Sequence, residues 1–215
     1  MRFKHWTPQY VFDRLIWAYD QARHPADPWL TRNSIDFLSL WLKSSDTGVE
    51  FGSGRSTVWF GNRVKHVTSV EDIPDWYQSV RQKITALGLS DKVDLIYLDA
   101  EPQDGNSGTT RYVGVLKQFA NQSLDFCLID GGHRDFCALH AIEKIKSGGI
   151  LIVDNVNWFL PLPGQCLHFH SPASRTEQDG CVSKAWGEFA RNVADWRRIW
   201  TTNGVNDTAI FFKPV

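Results

Sequence analysis

An α/β fold with a mostly parallel sheet is what this sequence predicts, and three observations predict it. Between Thr47 and Val153, short apolar runs alternate with stretches at helical spacing, the order that builds parallel strands joined by helical crossovers. The first run leads into Glu50-Phe51-Gly52-Ser53-Gly54, a Gly-rich turn that opens a helix. The last two runs, 197–202 and 208–213, are separated only by Asn203 to Asp207. That gap is too short for a crossover, so they pair as an antiparallel hairpin.

Taken in order, residues 8–23 place Val11, Phe12, Leu15, Ile16 and Tyr19 at helical spacing, and Pro25 and Pro28 end the pattern. A second helix starts at Thr31, an N-cap residue type, and carries Ile35, Leu38, Leu40, Trp41 and Leu42 before Ser44-Ser45-Asp46 stops it. Residues 1–46 thus form a helical cover over one rim, beside a ligand mouth. Strands are predicted at 47–51, 65–71, 93–98, 125–129 and 149–153. Helices are predicted between them at 55–64, 74–88, 109–120 and 134–147. Pro74 suits a helix first turn, and Gly88 and Gly148 suit helix ends. Residues 155–181 hold Pro161, Pro163, Gly164, Pro172 and Gly180 with no period, and read as a long loop that lids the substrate. A helix near 182–195 precedes the hairpin.

At 215 residues the chain suits one domain, 1–215, with room for a sizeable core. A net charge of -1 and a pI near 6.6 supply no basic field for nucleic acid or an anionic membrane. Met1 to Asp20 is broken by Lys4, His5, Asp13 and Arg14, unlike a signal peptide or a membrane span, so a soluble, cytoplasmic protein is expected. The expected partners are a small molecule and, as a further option, a second copy of the chain in a homodimer. Four cysteines are too few for a disulfide scaffold, and Cys127, in an apolar run, reads as a small core residue. Of 10 tryptophans, Trp6, Trp17, Trp29, Trp41, Trp158, Trp186, Trp196 and Trp200 lie towards the chain ends, where they serve as core and cover or as an aromatic wall for substrate.

Gly52 and Gly54 match the first two glycines of Gly-x-Gly-x-x-Gly, but the third falls on Thr57, so the dinucleotide fingerprint is incomplete. Glu71 ends the second predicted strand, where a carboxylate accepts the two ribose hydroxyls of a nucleoside. Its alternative is a solvated strand end. Glu50 lies inside a strand predicted to be buried, and a buried carboxylate needs partners. Holding the Gly loop or a ligand's ammonium would supply them.

Four segments together resemble the class I S-adenosylmethionine-dependent methyltransferases, in their O-methyltransferase-like branch. They are Glu50-Phe51-Gly52-Ser53-Gly54, Ser69-Val70-Glu71, Leu124 to Asp130, and Gly148 to Asn155. The resemblance spans 47–155 and 182–213. It implies a Rossmann-like, seven-stranded, mostly parallel sheet of order 3-2-1-4-5-7-6, with the last strand antiparallel, helices on both faces and two N-terminal cover helices. It implies S-adenosylmethionine held by Glu50, Gly52, Ser53, Gly54, Glu71 and Asp130, with Asp99 or Ala100 near the adenine. Asp130-Gly131-Gly132-His133 is similar to the Asp-Gly-x-His loop of O-methyltransferases, which implies a small-molecule hydroxyl acceptor. Asp130, Asp154 and Asn155 fall where the catechol-type members place three oxygen ligands for Mg²⁺ or another divalent cation. His133 stands at that group's general-base position. Such a cation acidifies a hydroxyl, and an imidazole can take the proton.

Blander readings remain beside these. Asp154-Asn155 could cap a turn, His133 could contact the adenine, and a metal-free site assisted by His133 and Asp130 stands level with the metal site. In the loop, Cys166, His168, His170 and Cys181 offer zinc or disulfide chemistry, while His168, His170 or Arg175 offer polar contacts to substrate. An NAD-dependent oxidoreductase and a non-catalytic S-adenosylmethionine-binding or association module are the rival functions. Neither the acceptor nor its acceptor atom is named by these residues.

Overall fold

The computed structural model describes residues 7–99, 101, 107–160 and 181–215. Its strands are β1 (Thr47–Phe51), β2 (His66–Glu71), β3 (Val93–Tyr97), β4 (Leu124–Ile129), β5 (Ile145–Asp154), β6 (Arg197–Thr202) and β7 (Asp207–Phe212). They form one sheet in the order β3-β2-β1-β4-β5-β7-β6. The β1–β2, β2–β3, β1–β4 and β4–β5 pairs are parallel, whereas β7 runs antiparallel to both β5 and β6. This is the Rossmann-like seven-stranded sheet. The chain reverses between β1 and β4, so the carboxyl ends of β1, β2, β4 and β5 open a crevice at the switch point.

The helices are α1 (Pro8–Arg23), α2 (Arg32–Trp41), α3 (Arg55–Gly61), α4 (Pro74–Ala86), α5 (Arg111–Gly114), α6 (Arg134–Lys144) and α7 (Lys184–Asn192). Strand periodicity divides them between two faces. Cys127, Ile129, Leu151 and Val153 point to the side covered by α5, α6 and α7, where Tyr112, Ala138 and Phe189 meet them. Phe126, Leu128, Ile150 and Ile152 point to the other side, against Leu38 of α2, Phe60 of α3 and Val80 of α4. Sheets buried on both faces read as near-continuous apolar runs, which is why 125–129 and 149–153 stood out. Cys127 is fully buried, and burial pushes its thiol up. Trp59, Trp186 and Trp196 are core residues.

Two predicted elements are corrected. The helix expected over 109–120 breaks into α5 and 3-10 turns at Ser107–Thr109 and Val115–Gln118. Gly114 between β-branched Val113 and Val115 weakens α continuation, while Thr110 caps α5 by accepting from Val113 N at 3.2 Å. The helix expected over 134–147 ends at Lys144, and 145–148 join β5 instead. Leu124 pairs with Ile145 but Phe126 pairs with Ile150, a bulge that Gly148 accommodates at φ +77. Thr31 does stand at the N-cap of α2, yet its hydroxyl bonds Thr201 rather than a helix amide.

α1 lies outermost, with Phe12, Leu15 and Tyr19 more than half exposed. Arg32 ties it down through Asp20 at 3.2 Å, and Gln21 accepts from Arg55 at 3.1 Å, which brings the end of α1 to the Gly loop. No helix among the described residues is long and apolar enough to cross a membrane. The lid predicted within 155–181 falls largely outside the described residues, as do the roles suggested for Cys166, His168, His170 and Arg175. Cys181 is buried.

Candidate active site

β1 delivers the chain to Gly52 at φ +89, and a Cβ there would sit 2.8 Å from the backbone of Asp130 and Gly131. A Cβ on Gly131 would collide with Tyr112 Oη and lie 2.6 Å from Gly52 N. The loops after β1 and β4 therefore meet backbone to backbone, and only glycine permits that approach. Gly54 faces more open space, its nearest neighbour being Trp76 at 3.7 Å from the position of a Cβ.

Glu50 is fully buried beneath this loop. Its Oε1 accepts from Ser69 Oγ at 2.6 Å and from Thr57 Oγ1, which in turn accepts from Gly54 N at 2.8 Å. The carboxylate thus pins the start of α3 to β2. Its Oε2 accepts no hydrogen bond of normal geometry among the described residues, although the Ser56 hydroxyl also acts on this carboxyl. Burial pushes this carboxyl up to about 7, against the pull of the hydroxyls around it.

Glu71 closes the loop from the end of β2. Its Oε2 accepts from Ser53 N at 2.9 Å and Ser53 Oγ at 2.6 Å, while Oε1 accepts from Asp72 N at 3.1 Å and Ile73 N at 3.0 Å. Trp76 Nε1 donates to Ser53 O at 2.7 Å, and Trp29 stacks on Trp76. Ser53 therefore serves the carboxylate, and a ribose would share Glu71 with it. Burial raises the Asp72 carboxyl, and the neighbouring charge of Glu71 adds to that; the charges of His133 and Asp99 act on it as well. Glu71, Asp72, Asp99 and His133, which follow or end β2, β3 and β4, are therefore near enough for their charges to interact. Asp99 is exposed and accepts from Glu101 N at 2.9 Å. Ala100 lies outside the described residues.

His133 is the N-cap of α6 and adopts a left-handed conformation, φ 44. Asn155, at the end of β5, does the same at φ 53. Left-handed backbone at a non-glycine residue costs about 1 kcal/mol or more and clusters at functional sites.

Asp130, Asp154 and Asn155 are brought together, but around a group that the sequence reading missed. Arg134 Nη2 donates to Asp130 Oδ1 at 2.9 Å and Asp130 O at 2.7 Å. Its Nη1 donates to Asn155 Oδ1 at 3.1 Å and Asp154 O at 2.7 Å, and its Nε donates to Gly131 O at 3.0 Å. The Asp154 side chain turns away, with Oδ1 accepting from Thr208 Oγ1 at 2.7 Å. Burial and the Asp130 charge push Asp154 up to about 8. Burial also raises Asp130, with Arg134 opposing. The three expected cation ligands thus do not fit a divalent ion: two side chains are engaged by a guanidinium and the third by a hydroxyl. Among the described residues, no group of three His, Cys, Asp or Glu side chains is arranged to hold a metal. The four-residue spacing from Asp130 to Arg134 was the one local signal available.

A cavity of about 400 Å³, lined by residues including Leu98, Thr110, Arg111 and Lys117, lies by β3 and α5 and includes none of the loop residues above.

A family described as a methyltransferase domain matches residues 49–156. No curated protein sequence matches the chain. Among solved structures, a candidate O-methyltransferase from Klebsiella pneumoniae is 18% identical with a TM-score of 0.61, covering 97% of this chain and 91% of its own. A candidate caffeoyl-CoA O-methyltransferase from Staphylococcus aureus is 15% identical with a TM-score of 0.61, covering 98% and 94%. A candidate rRNA methylase from Clostridium thermocellum is 17% identical with a TM-score of 0.55, covering 85% and 94%. At these identities the likeness is one of fold.

Proposed function

Because this chain belongs to the methyltransferase-domain family, we propose that it transfers a methyl group from S-adenosylmethionine to a hydroxyl oxygen of a small molecule. The unpartnered, buried Oε2 of Glu50 carries this reading, since a carboxylate oxygen without a donor suits the ammonium of an amino-acid moiety. Glu71, one strand away at the same edge, suits the ribose. The strand order also departs from the dinucleotide arrangement 3-2-1-4-5-6, which speaks against the oxidoreductase rival.

When bound, S-adenosylmethionine supplies an electrophilic sulfonium methyl and leaves as the neutral thioether S-adenosylhomocysteine. The chain's own residues hold and orient. Glu50 and Glu71 fix the two ends of the donor, and the loops after β4 and β5 place the acceptor in line with it. The His133 imidazole takes the acceptor's proton as the new O–C bond forms. With a net charge of -1 the chain lacks the basic field that binds a nucleic-acid backbone, which favours a small acceptor over RNA.

Calorimetric titration of S-adenosylmethionine into wild type and Glu71→Ala tests the reading. Wild type is expected to bind. The variant is expected to lose about 10- to 100-fold in affinity, the worth of hydrogen bonds to a charged group. Absence of binding to wild type would sink the assignment.

A further inference from the structure

We propose that Arg134 is the built-in cation of this site, so that methyl transfer here proceeds without a divalent metal and needs no acceptor able to chelate one. The inference rests on the methyltransferase reading and deepens it. A guanidinium has five N–H donors in a fixed fork. All five are used here, on Gly131 O, Asp154 O, Asn155 Oδ1, Asp130 O and Asp130 Oδ1, at 2.7 to 3.1 Å. These acceptors are oxygens converging from the ends of β4 and β5, the donor set that a hard divalent cation prefers. The positive charge occupies that set permanently, delivered from the first residue of α6 and backed by the ring of Phe159 at 5.7 Å.

Saturation defines the residue's role. With no N–H left over, Arg134 makes no hydrogen bond to an acceptor molecule unless it gives one up. It is a positioning residue: its bonds to Asp130, Gly131, Asp154 and Asn155 tie together the two loops that carry the left-handed residues His133 and Asn155, and leave a fixed positive charge at their junction. A metal-bound catechol needs two adjacent oxygens on the ion. This site asks for one hydroxyl, whose proton passes to His133 while the sulfonium keeps the electron pair of the breaking S–C bond.

Electron paramagnetic resonance of Mn²⁺ mixed with dialysed protein tests this independently of turnover. Wild type is expected to leave the free Mn²⁺ signal undiminished, and its unfolding midpoint is expected not to move with Mg²⁺ or EDTA. Arg134→Ala, which vacates five oxygens, is expected to gain saturable Mn²⁺ binding that is lost again when Asp130→Asn is added. Saturable binding to wild type that Asp130→Asn abolishes overturns the proposal, and this arm stands even if the arginine variant fails to fold. A folded Arg134→Ala that takes up no Mn²⁺ also overturns it, because something other than the guanidinium would then exclude the ion. S-adenosylmethionine titration of the same wild-type sample keeps the two questions apart: failure to bind the methyl donor removes the proposed reaction but leaves the Mn²⁺ result standing.

Discussion

The proposed base role of His133 and the backbone cost of its left-handed conformation are separable by two substitutions. His133→Gln removes the base and keeps a side chain of similar reach. It is expected to slow methyl transfer by about 10²- to 10⁴-fold, the usual worth of general acid–base catalysis, with S-adenosylmethionine affinity near that of wild type. His133→Gly is expected to be as slow, yet more stable by about 1 kcal/mol in denaturant titration, because glycine adopts φ 44 without strain. A His133→Gln variant that turns over at the wild-type rate would remove the residue from the chemistry. Glu50 is divided in the same way: Oε1 braces α3 against β2, and Oε2 is the oxygen the proposed function assigns to the donor's ammonium.

The contact between the loops after β1 and β4 decides the geometry at the level of elements. Gly131 permits it, and a methyl there would strike Tyr112 Oη and crowd Gly52 N. Gly131→Ala is therefore expected to destabilise the protein by roughly 1–3 kcal/mol, as overpacking does, and to weaken binding of S-adenosylmethionine because the Gly loop must move. Differential scanning calorimetry with and without the ligand reads both effects; an unchanged midpoint would show that the loops can separate freely. β5 is held at its other flank. Thr208 on β7 donates to Asp154 and accepts from Thr31 N at 3.2 Å, so the entry to α2 is tied to the same strand end that carries Asn155.

At the scale of the whole molecule, Glu50 and Asp154 are two of the buried carboxyl groups whose raised values shape the pH response, Asp130 and Asp72 shifting in the same direction. Glu50 rises from 4.5 to about 7 and Asp154 from 3.8 to about 8, burial being the first cause for both. A group whose folded value is raised stabilises fully below its unfolded value and loses that contribution as pH climbs to the folded one. The ligand-free protein is therefore expected to lose a few kcal/mol between about pH 5 and pH 8. Thermal melts across that range check the sign, and Glu50→Gln should flatten the portion up to about pH 7. A midpoint that rises steadily from pH 5 to pH 8 would contradict the burial of both groups as neutral acids.

The strands, the Gly loop and the closing hairpin were legible in the sequence because their signals are local. Apolar runs of strand length, glycines at a turn and a five-residue gap each act within a few residues of themselves. The positions of Glu50 inside β1 and Glu71 at the end of β2 were legible for the same reason, since the strands that hold them were already delimited. The break in 109–120 and the early start of β5 were not, because a bulge depends on the register between β4 and β5, and register is settled by pairing across the sheet. Arg134 was least visible. The strand pattern determined that Asp130 and Asp154-Asn155 would reach one edge of the sheet, at the ends of adjacent strands. Only the tertiary structure decided what stands between them, since a helix from one crossover had to bring its first side chain against the end of the next strand before five separate oxygens could converge on one guanidinium.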